Sequence, residues 1–325
     1  MNPIVLSECP LVRQGEDASL LDLGDGIACL RFESKGNSIT PTIKDFAWKI
    51  LKEDLCGFDG LVVGSQAKNF SVGANLNVMK QNLDRKDFET FRNNVRIFQD
   101  LNMDIKYYHK PIVAAPYRNT LGGGLELSLH CHKRVAQAKS YMGLVEVGVG
   151  LLPGGGGTKE CALLIGRASD AERPAVIQTV FEKLLLRKVS ASADDARNML
   201  YLSPSDGIEA EPELLVAKAK AACLELVGTS RDKREAQVQM PGAEAYRWMA
   251  SHADQLLEQG KITPYDREIG LRIATVLAGG NAAPRSYTER QLLELECDCF
   301  LDLLHQKGTY DRISHFVATG ELLRN

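Results

Sequence analysis

The sequence predicts an α/β fold in which alternating strands and helices are followed by an extended helical C-terminal region. Short apolar runs of strand character recur up to about residue 138, and a helical pattern over residues 87–105 lies between two of them. Glycine-containing turns at residues 72–74, 122–124 and 154–157 each follow an apolar segment and precede a helical one. From about residue 159 onward the sequence is helical almost throughout. This order indicates βα units rather than a sandwich.

Individual elements follow from the same patterns. Strands are predicted at residues 26–32, 60–64, 110–115 and 134–138. Pro111 falls at the start of the third strand, where a missing N–H is tolerated. Later helices are predicted at residues 172–187, 211–227, 287–305 and 309–318, with a capped helix start at 190–195. Thr263 and Pro264 are typical of an N-cap followed by the first helical position, and the polar residues 228–242 are the best linker candidate.

Composition excludes several classes of function. The 325 residues carry 39 basic and 42 acidic side chains, a net charge of −3, without a long basic run. A nucleic-acid interface is therefore not expected. No apolar stretch approaches the roughly 18 residues of a membrane-spanning helix, and the first residues do not resemble a signal peptide. We therefore expect a cytoplasmic protein.

The eight cysteines are scattered, which favours reduced thiols in a cytoplasm over a disulfide framework. Two groupings could suggest a metal site. Residues 130–132 (HCH) are adjacent, so at most two of the three side chains share a face. Cys297 and Cys299 lie two apart in a helical pattern and therefore face different directions. Structural roles are expected for both groupings, and no metal is predicted.

The glycine-containing turns do not match nucleotide-binding patterns. A P-loop needs Gly-Lys-Ser/Thr, whereas the chain has Gly157-Thr158-Lys159, and Gly148-x-Gly150 is followed by Pro153 where a dinucleotide fingerprint needs glycine. We therefore expect no NAD binding. Two interpretations remain open: tight turns that need positive φ, or amides from two separate loops that together bind an oxyanion.

Four ordered motifs resemble the crotonase (enoyl-CoA hydratase/isomerase) superfamily. They are residues 69–76 (NFSVGANL), 121–126 (LGGGLE), 143–146 (GLVE) and 150–158 (GLLPGGGGT). The resemblance covers roughly residues 20–227 and implies a spiral core of ββα units, which we place at residues 15–189, before a helical region at 190–325. The C-terminal stretch is similar to the hydratase half of bacterial fused 3-hydroxyacyl-CoA dehydrogenase/enoyl-CoA hydratases.

The resemblance also implies roles for individual residues. By the match to the family motifs, the N–H groups of Ala74 and Gly123 bind the thioester oxygen, and Glu126 and Glu146 are the acid/base pair. Gly154 corresponds to the residue whose N–H helps to hold the attacking water. The segment that lines the CoA ester corresponds to Asn75, Leu76 and Asn77. Independently of the resemblance, Glu146 is the one charged residue in an apolar run, where a carboxylate is costly unless it is functional or paired.

These roles imply an enoyl-CoA hydratase that adds water to 2-trans-enoyl-CoA and gives 3-hydroxyacyl-CoA in fatty-acid β-oxidation. The implied partners are an acyl-CoA thioester substrate, further copies of the chain in a homo-oligomer, with a trimer favoured, and a dehydrogenase that is either separate or a missing fused half. No cofactor is expected, since CoA is part of the substrate. Two alternatives stay open: a Δ3,Δ2-enoyl-CoA isomerase and a non-catalytic acyl-CoA-binding module.

Three departures from the family pattern accompany the match. Asn75 takes the place of the usual Asp, and residues 117–120 (YRNT) take the place of the usual Asn-Gly before the second motif. The helical C-terminus also runs roughly 70 or more residues beyond an ordinary family member. None of these departures removes a residue with an implied catalytic role.

Overall fold

A computed structural model describes residues 1–229 and 235–325, and it confirms the predicted fold class. The strands are β1 (Leu11–Gln14), β2 (Ala18–Asp22), β3 (Ile27–Phe32), β4 (Gly60–Gly64), β5 (Ile112–Ala114), β6 (Arg118–Leu121), β7 (Lys133–Gln137), β8 (Ser140–Gly143), β9 (Gly207–Glu209), β10 (Gln237–Met240) and β11 (Arg285–Thr288). The α-helices are α1 (Pro41–Lys49), α2 (Leu76–Asp84), α3 (Phe88–Lys106), α4 (Gly123–His130), α5 (Gly157–Arg167), α6 (Arg173–Leu185), α7 (Ala193–Asn198), α8 (Leu215–Leu226), α9 (Ala243–Glu258), α10 (Pro264–Ala278), α11 (Glu289–Leu304) and α12 (Lys307–Thr319).

The chain forms two compact units that interleave along the sequence. The first comprises Met1–Ala74, Asp100–Gly143 and Val189–Arg234, and the second comprises Asn75–Gln99, Leu144–Lys188 and Glu235–Asn325. The units are not contiguous segments, unlike the domains 15–189 and 190–325 that the sequence suggested, and that assignment stays a prediction. Within the suggested linker 228–242, residues 230–234 lie outside the described part of the chain.

The first unit is built on a seven-stranded sheet in the order β1-β2-β3-β4-β5-β7-β9. β1, β2 and β3 are antiparallel, and all pairings from β3 to β9 are parallel. All five residues of β4 are buried, as expected for a parallel strand that is covered on both faces. The first residue of this strand, Gly60, lies against Cys223 of α8. A larger residue would not fit there, because a Cβ on Gly60 would come within 2.5 Å of the Cys223 sulfur.

Two features of the first unit were not apparent in the sequence. β6 and β8 form a separate parallel pair that brings residues 118–121 beside residues 140–143. β9 extends the main sheet by pairing with β7, although it lies in the stretch that was predicted to be helical.

α7 begins as predicted, because the Ser192 hydroxyl accepts a hydrogen bond from the Asp195 N–H at 3.1 Å.

The second unit is mostly helical. α10 packs against α5, α6 and α9, and the short antiparallel pair of β10 and β11 packs against α5 through β10. The predicted cap of α10 is confirmed: the Thr263 hydroxyl accepts from the Asp266 N–H at 3.1 Å, and the Asp266 carboxylate accepts from the Thr263 N–H at 2.9 Å. The apolar stripe of α11 is buried within the chain, at Leu292, Leu293, Cys297, Phe300, Leu301 and Leu304. Among the described residues no helix is long and apolar enough to cross a membrane.

Candidate active site

Two loop segments of the first unit run side by side where the sequence predicted an oxyanion-binding pair. Ser71 and Thr120 form an isolated parallel bridge. The Ser71 N–H donates to the Asn119 carbonyl at 3.1 Å, and the Leu121 N–H donates to the Ser71 carbonyl at 3.0 Å. Strand-type hydrogen bonds therefore hold the segment that leads to Ala74 against the segment that leads to Gly123.

Glycine is required at two positions of this contact. Gly73 has φ 89°, in the left-handed region that favours glycine, and a Cβ there would lie 3.2 Å from the Leu121 carbonyl oxygen. A Cβ on Gly124 would lie 2.2 Å from the Cβ of Ser71, which is far inside van der Waals contact. The absence of two side chains therefore allows the backbones of the two loops to approach each other closely.

The approach leaves two amides available to a ligand. Gly123 is the first residue of α4, so its N–H has no acceptor within the helix. Among the described residues, no backbone hydrogen bond is donated by the N–H of Ala74 or of Gly123. Ala74 is exposed. Gly122, the residue before Gly123, is held in place because its N–H donates to the Gly143 carbonyl at 2.9 Å. Two such amides, with the positive end of a helix beside one of them, can stabilise a developing oxyanion.

Glu126 lies one turn further along α4, three residues after Gly123. It is 4% exposed, and its N–H donates to the Gly122 carbonyl at 2.9 Å. Its carbonyl accepts a 2.6 Å hydrogen bond from Nδ1 of His130. His132 is engaged as well, since its Nδ1 accepts from the Ile112 N–H at 2.9 Å. The first unit thus brings Ala74, Gly123 and Glu126 together, and both histidines beside Cys131 bind backbone groups.

The other predicted site residues belong to the second unit. Asn75 is the N-cap of α2, because its side-chain oxygen accepts from the N–H groups of Asn77 and Val78 at 3.1 and 3.4 Å. Asn and Asp are about equally good N-caps, so the substitution of Asn for the usual Asp preserves the start of this helix. Leu76 is half-buried and Asn77 is exposed.

Glu146 begins a short 3₁₀ helix, Glu146–Val149, and is half-buried. The turn ends at Gly150, whose φ of 86° favours glycine, and a Cβ there would lie 2.7 Å from the Cα of Thr309. The Thr309 hydroxyl donates to the Gly150 carbonyl at 2.6 Å, and Arg312 Nη1 donates to the Val147 carbonyl at 2.7 Å. α12 therefore supports the turn that carries Glu146 at both of its ends.

Comparisons with known proteins match this arrangement of motifs. A family model described as enoyl-CoA hydratase/isomerase matches residues 49–168. A "Probable 3-hydroxyacyl-CoA dehydrogenase" of Bacillus subtilis is 38% identical over 97% of this chain, and the chain spans 40% of that relative's length. These two matches support the resemblance of the chain to the crotonase superfamily. The crystal structure of an enoyl-CoA hydratase from Bacillus anthracis is similar over 80% of this chain and 91% of that protein's chain. The two are 21% identical, with a TM-score of 0.53. The crystal structure of an enoyl-CoA hydratase from Bacillus halodurans is similar over 92% of this chain and 100% of that protein's chain, at 15% identity and with a TM-score of 0.60.

The departure from the crotonase pattern at residues 117–120 has a visible consequence. Arg118 has φ 45°, in the left-handed region that favours glycine, at the segment where the family pattern has Asn-Gly. Tyr117 fixes the neighbouring segment, because its hydroxyl donates to the carbonyls of Ala67 and Asn69 at 3.1 and 3.0 Å. A buried tyrosine thus holds two carbonyl groups at and just before the start of the first motif.

Sequence reasoning missed the residues that support the second-unit site residues. They are Gln99 and Glu296, which form hydrogen bonds with the backbone of residues 154–159, together with Thr309 and Arg312. Glu296, Thr309 and Arg312 are fully buried. Each lies far along the chain from the residues it supports, and each looks in the sequence like an ordinary polar position on a helix. The crotonase resemblance gives no signal for the last three, because they lie beyond the part of the chain that it covers.

Proposed function

We propose that the chain is a 2-enoyl-CoA hydratase, which adds water syn across the double bond of 2-trans-enoyl-CoA and yields 3-hydroxyacyl-CoA. The observation that carries the proposal is the amide pair of Ala74 and Gly123, which close contact between the two loops holds in place. The buried Glu126 lies one helical turn after Gly123. Such a pair suits reactions in which negative charge builds on a thioester oxygen. The family description supports the same class of chemistry.

In the proposed reaction, the oxygen of water forms a bond to Cβ and the double bond shifts toward the thioester. The electron pair moves onto the thioester oxygen, where the Ala74 and Gly123 N–H groups stabilise the enolate. Removing one donor of this kind typically raises the barrier by about 2.7–4 kcal/mol. The enolate then collapses and Cα takes up a proton. No cofactor is proposed, because CoA belongs to the substrate.

The proton transfers are assigned to Glu126 and Glu146. Water must lose one proton and Cα must gain one, so a carboxylate and a carboxylic acid together complete the reaction with no net consumption of protons. Gly154 would hold the water through its N–H. The segment of Asn75, Leu76 and Asn77 would line the CoA ester, with α2 starting at the Asn75 cap.

The test follows the loss of absorbance of an enoyl thioester when it is mixed with the protein. Replacement of Glu126 or Glu146 by Gln keeps the size but removes the proton transfer, so turnover should fall on the order of 10²–10⁴-fold. Glu258→Gln, at an exposed position on α9, is the matched control and should leave turnover unchanged. Turnover near that of the unsubstituted protein in either active-site variant would contradict the assignment.

Isomerisation is the second candidate, because the matched family description covers both reactions. A Δ3,Δ2-enoyl-CoA isomerase moves a proton between carbons without adding water, so one glutamate would suffice. Formation of 2-enoyl-CoA from a 3-enoyl-CoA substrate, measured beside hydration, would distinguish the two activities. A protein that binds acetoacetyl-CoA in calorimetry but catalyses neither reaction would instead be an acyl-CoA-binding module.

The dehydrogenase named in the Bacillus subtilis relative acts on a 3-hydroxyacyl-CoA, which is the product proposed here. We therefore propose that the chain supplies 3-hydroxyacyl-CoA to a dehydrogenase in the β-oxidation of fatty acids. That dehydrogenase is either a separate partner or a fused half. A cytoplasmic location and a homotrimer are part of the same proposal. Calorimetry should detect acetoacetyl-CoA binding and no NADH binding by this chain. Micromolar NADH binding would contradict the proposal that the dehydrogenase activity belongs to another chain or to a fused half.

A further inference from the structure

Helix α5 begins without a cap of its own. Its N-cap is Gly156, which has no side chain and a φ of 102°, and its third residue is the cation Lys159. In a capping box the N-cap side chain accepts from the N–H of the third helical residue, whose own side chain accepts from the N-cap N–H. Neither acceptor exists in the sequence of α5, although the helix directly follows the Pro153–Gly154 turn.

Glu296 of α11 supplies both acceptors from a distance of 140 residues along the chain. Its Oε1 accepts from the Gly156 N–H and its Oε2 accepts from the Lys159 N–H, each at 2.7 Å. These are the same two amides that a capping box satisfies. The side chain is 0% exposed, and a carboxylate at a helix N-terminus is further stabilised by the helix dipole. One buried glutamate thus replaces a complete capping box.

The same cluster fixes the peptide groups on either side of Gly154. The Thr158 hydroxyl, on the first turn of α5, donates at 2.8 Å to the Pro153 carbonyl, which shares a peptide group with the Gly154 N–H. Gln99 Nε2 donates to the Gly154 carbonyl at 2.9 Å and to Glu296 Oε1 at 3.1 Å. Three successive peptide groups are therefore held by Thr158, Gln99 and Glu296.

Shape reinforces these hydrogen bonds. Phe300 lies one turn after Glu296 on α11, and a Cβ on Gly154 would come within 2.6 Å of its ring. Movement of α11 would therefore disturb the cap of α5 and the packing of Gly154 at once.

We propose that Glu296 is a positioning residue for hydration, which sets the direction of the Gly154 N–H by capping α5. The inference rests on the proposed function, in which that N–H holds the attacking water. A group displaced by about 1 Å can lower the rate on the order of 10²-fold. Loss of the cap should therefore slow the step that uses this water more than steps that do not.

The experiment compares two reactions of one enzyme. Hydration of an enoyl-CoA needs the positioned water, whereas exchange of the α-protons of butyryl-CoA with D₂O, followed by NMR, needs only the oxyanion amides and a carboxylate. Glu296→Gln replaces one of the two acceptors by an N–H donor that faces an amide. We expect its hydration kcat to fall by about tenfold or more. The exchange rate and the KM for enoyl-CoA should change far less.

The matched control is Glu289→Gln, a second fully buried glutamate on α11 whose carboxylate binds the Lys159 ammonium at 2.8 Å. It removes a buried charge from the same helix and should leave the hydration-to-exchange ratio unchanged. Thr158→Val provides an independent variant that keeps the cap but frees the Pro153 carbonyl, and it should lower the ratio in the same direction as Glu296→Gln.

The outcomes separate the two proposals. An unsubstituted protein that does not hydrate enoyl-CoA would overturn the proposed function and this inference together. Hydration by the unsubstituted protein, with an unchanged ratio in both Glu296→Gln and Thr158→Val, would overturn the inference alone. A ratio that falls equally in Glu289→Gln would also overturn it, because the effect would then follow from a general loosening of α11.

Discussion

Single atoms decide how close the two site loops of the first unit can approach. A Cβ on Gly124 would stand 2.2 Å from the Cβ of Ser71, and neither atom is the end of a flexible side chain. Gly124→Ala must therefore push the loops apart, at a cost of about 1–3 kcal/mol for overpacking. Hydration kcat should fall with stability, because the spacing of the Ala74 and Gly123 amides changes.

Urea unfolding and enoyl-CoA turnover check this prediction. Gly57→Ala is its control, since a Cβ on Gly57 would meet nothing within 4 Å, and it should preserve both properties. Unchanged stability and turnover in Gly124→Ala would show that close loop contact is not needed. The glycine motif was visible in the sequence, but the steric partner Ser71 was not, because it lies more than 50 residues earlier.

At the scale of elements, one carboxylate links two helices of the second unit in a way that depends on pH. Burial alone would raise the pKa of Glu182 on α6, but hydrogen bonds from Lys188, Gln178 and His252 of α9 outweigh it and lower the pKa from 4.5 to about 2. A lowered folded-state pKa stabilises the fold fully above the unfolded-state value and loses its effect as pH falls through the folded-state value.

Glu182→Gln should therefore lower the urea midpoint near neutral pH. The difference from the unsubstituted protein should shrink as pH falls from about 4.5 to about 2. Circular dichroism across a pH series measures both midpoints. A difference that stays constant over this window would show that the Glu182 carboxylate is not differentially stabilised in the folded state.

Elements with strong local patterns were predictable, and elements defined by distant partners were not. β4 and the run of α3 follow the predicted positions closely, because an apolar run and a 3.6-residue period are local signals. β9 has three residues and exists through its pairing with β7 some 70 residues earlier. The cap of α5 was invisible for the same reason, since Glu296 reads as a polar position in a helix until its partners are known.

At the scale of the whole molecule, the C-terminal region completes a folding unit. Unit two combines Asn75–Gln99 and Leu144–Lys188 with Glu235–Asn325. Gly166 of α5 lies against Val238 of β10, and Gly270 of α10 lies against Leu185 of α6. The family motifs could be read from the sequence alone, but this interleaving could not, because it depends on contacts between segments that are far apart in the chain.

The interleaving predicts how the chain responds to being cut. A chain of residues 1–227 keeps α5 and α6 but loses the helices that cover them. It also loses the hydrogen bond from Arg312 to the Val147 carbonyl, next to Glu146, and the cap provided by Glu296. Exposed apolar patches of more than a few hundred Å² promote aggregation. We therefore expect the truncated chain to be insoluble or inactive when it is expressed alone.

Co-expression of residues 1–227 with residues 228–325 as separate chains is the decisive companion experiment. If the second unit forms from both pieces, their co-purification should restore solubility and at least part of the enoyl-CoA turnover, because the lost contacts are packing and hydrogen bonds that need no covalent link. A soluble, fully active 1–227 chain with an unchanged melting temperature would instead make the C-terminal region an independent appendage. Failure of the two pieces to associate would show that the covalent connection is required to assemble the unit.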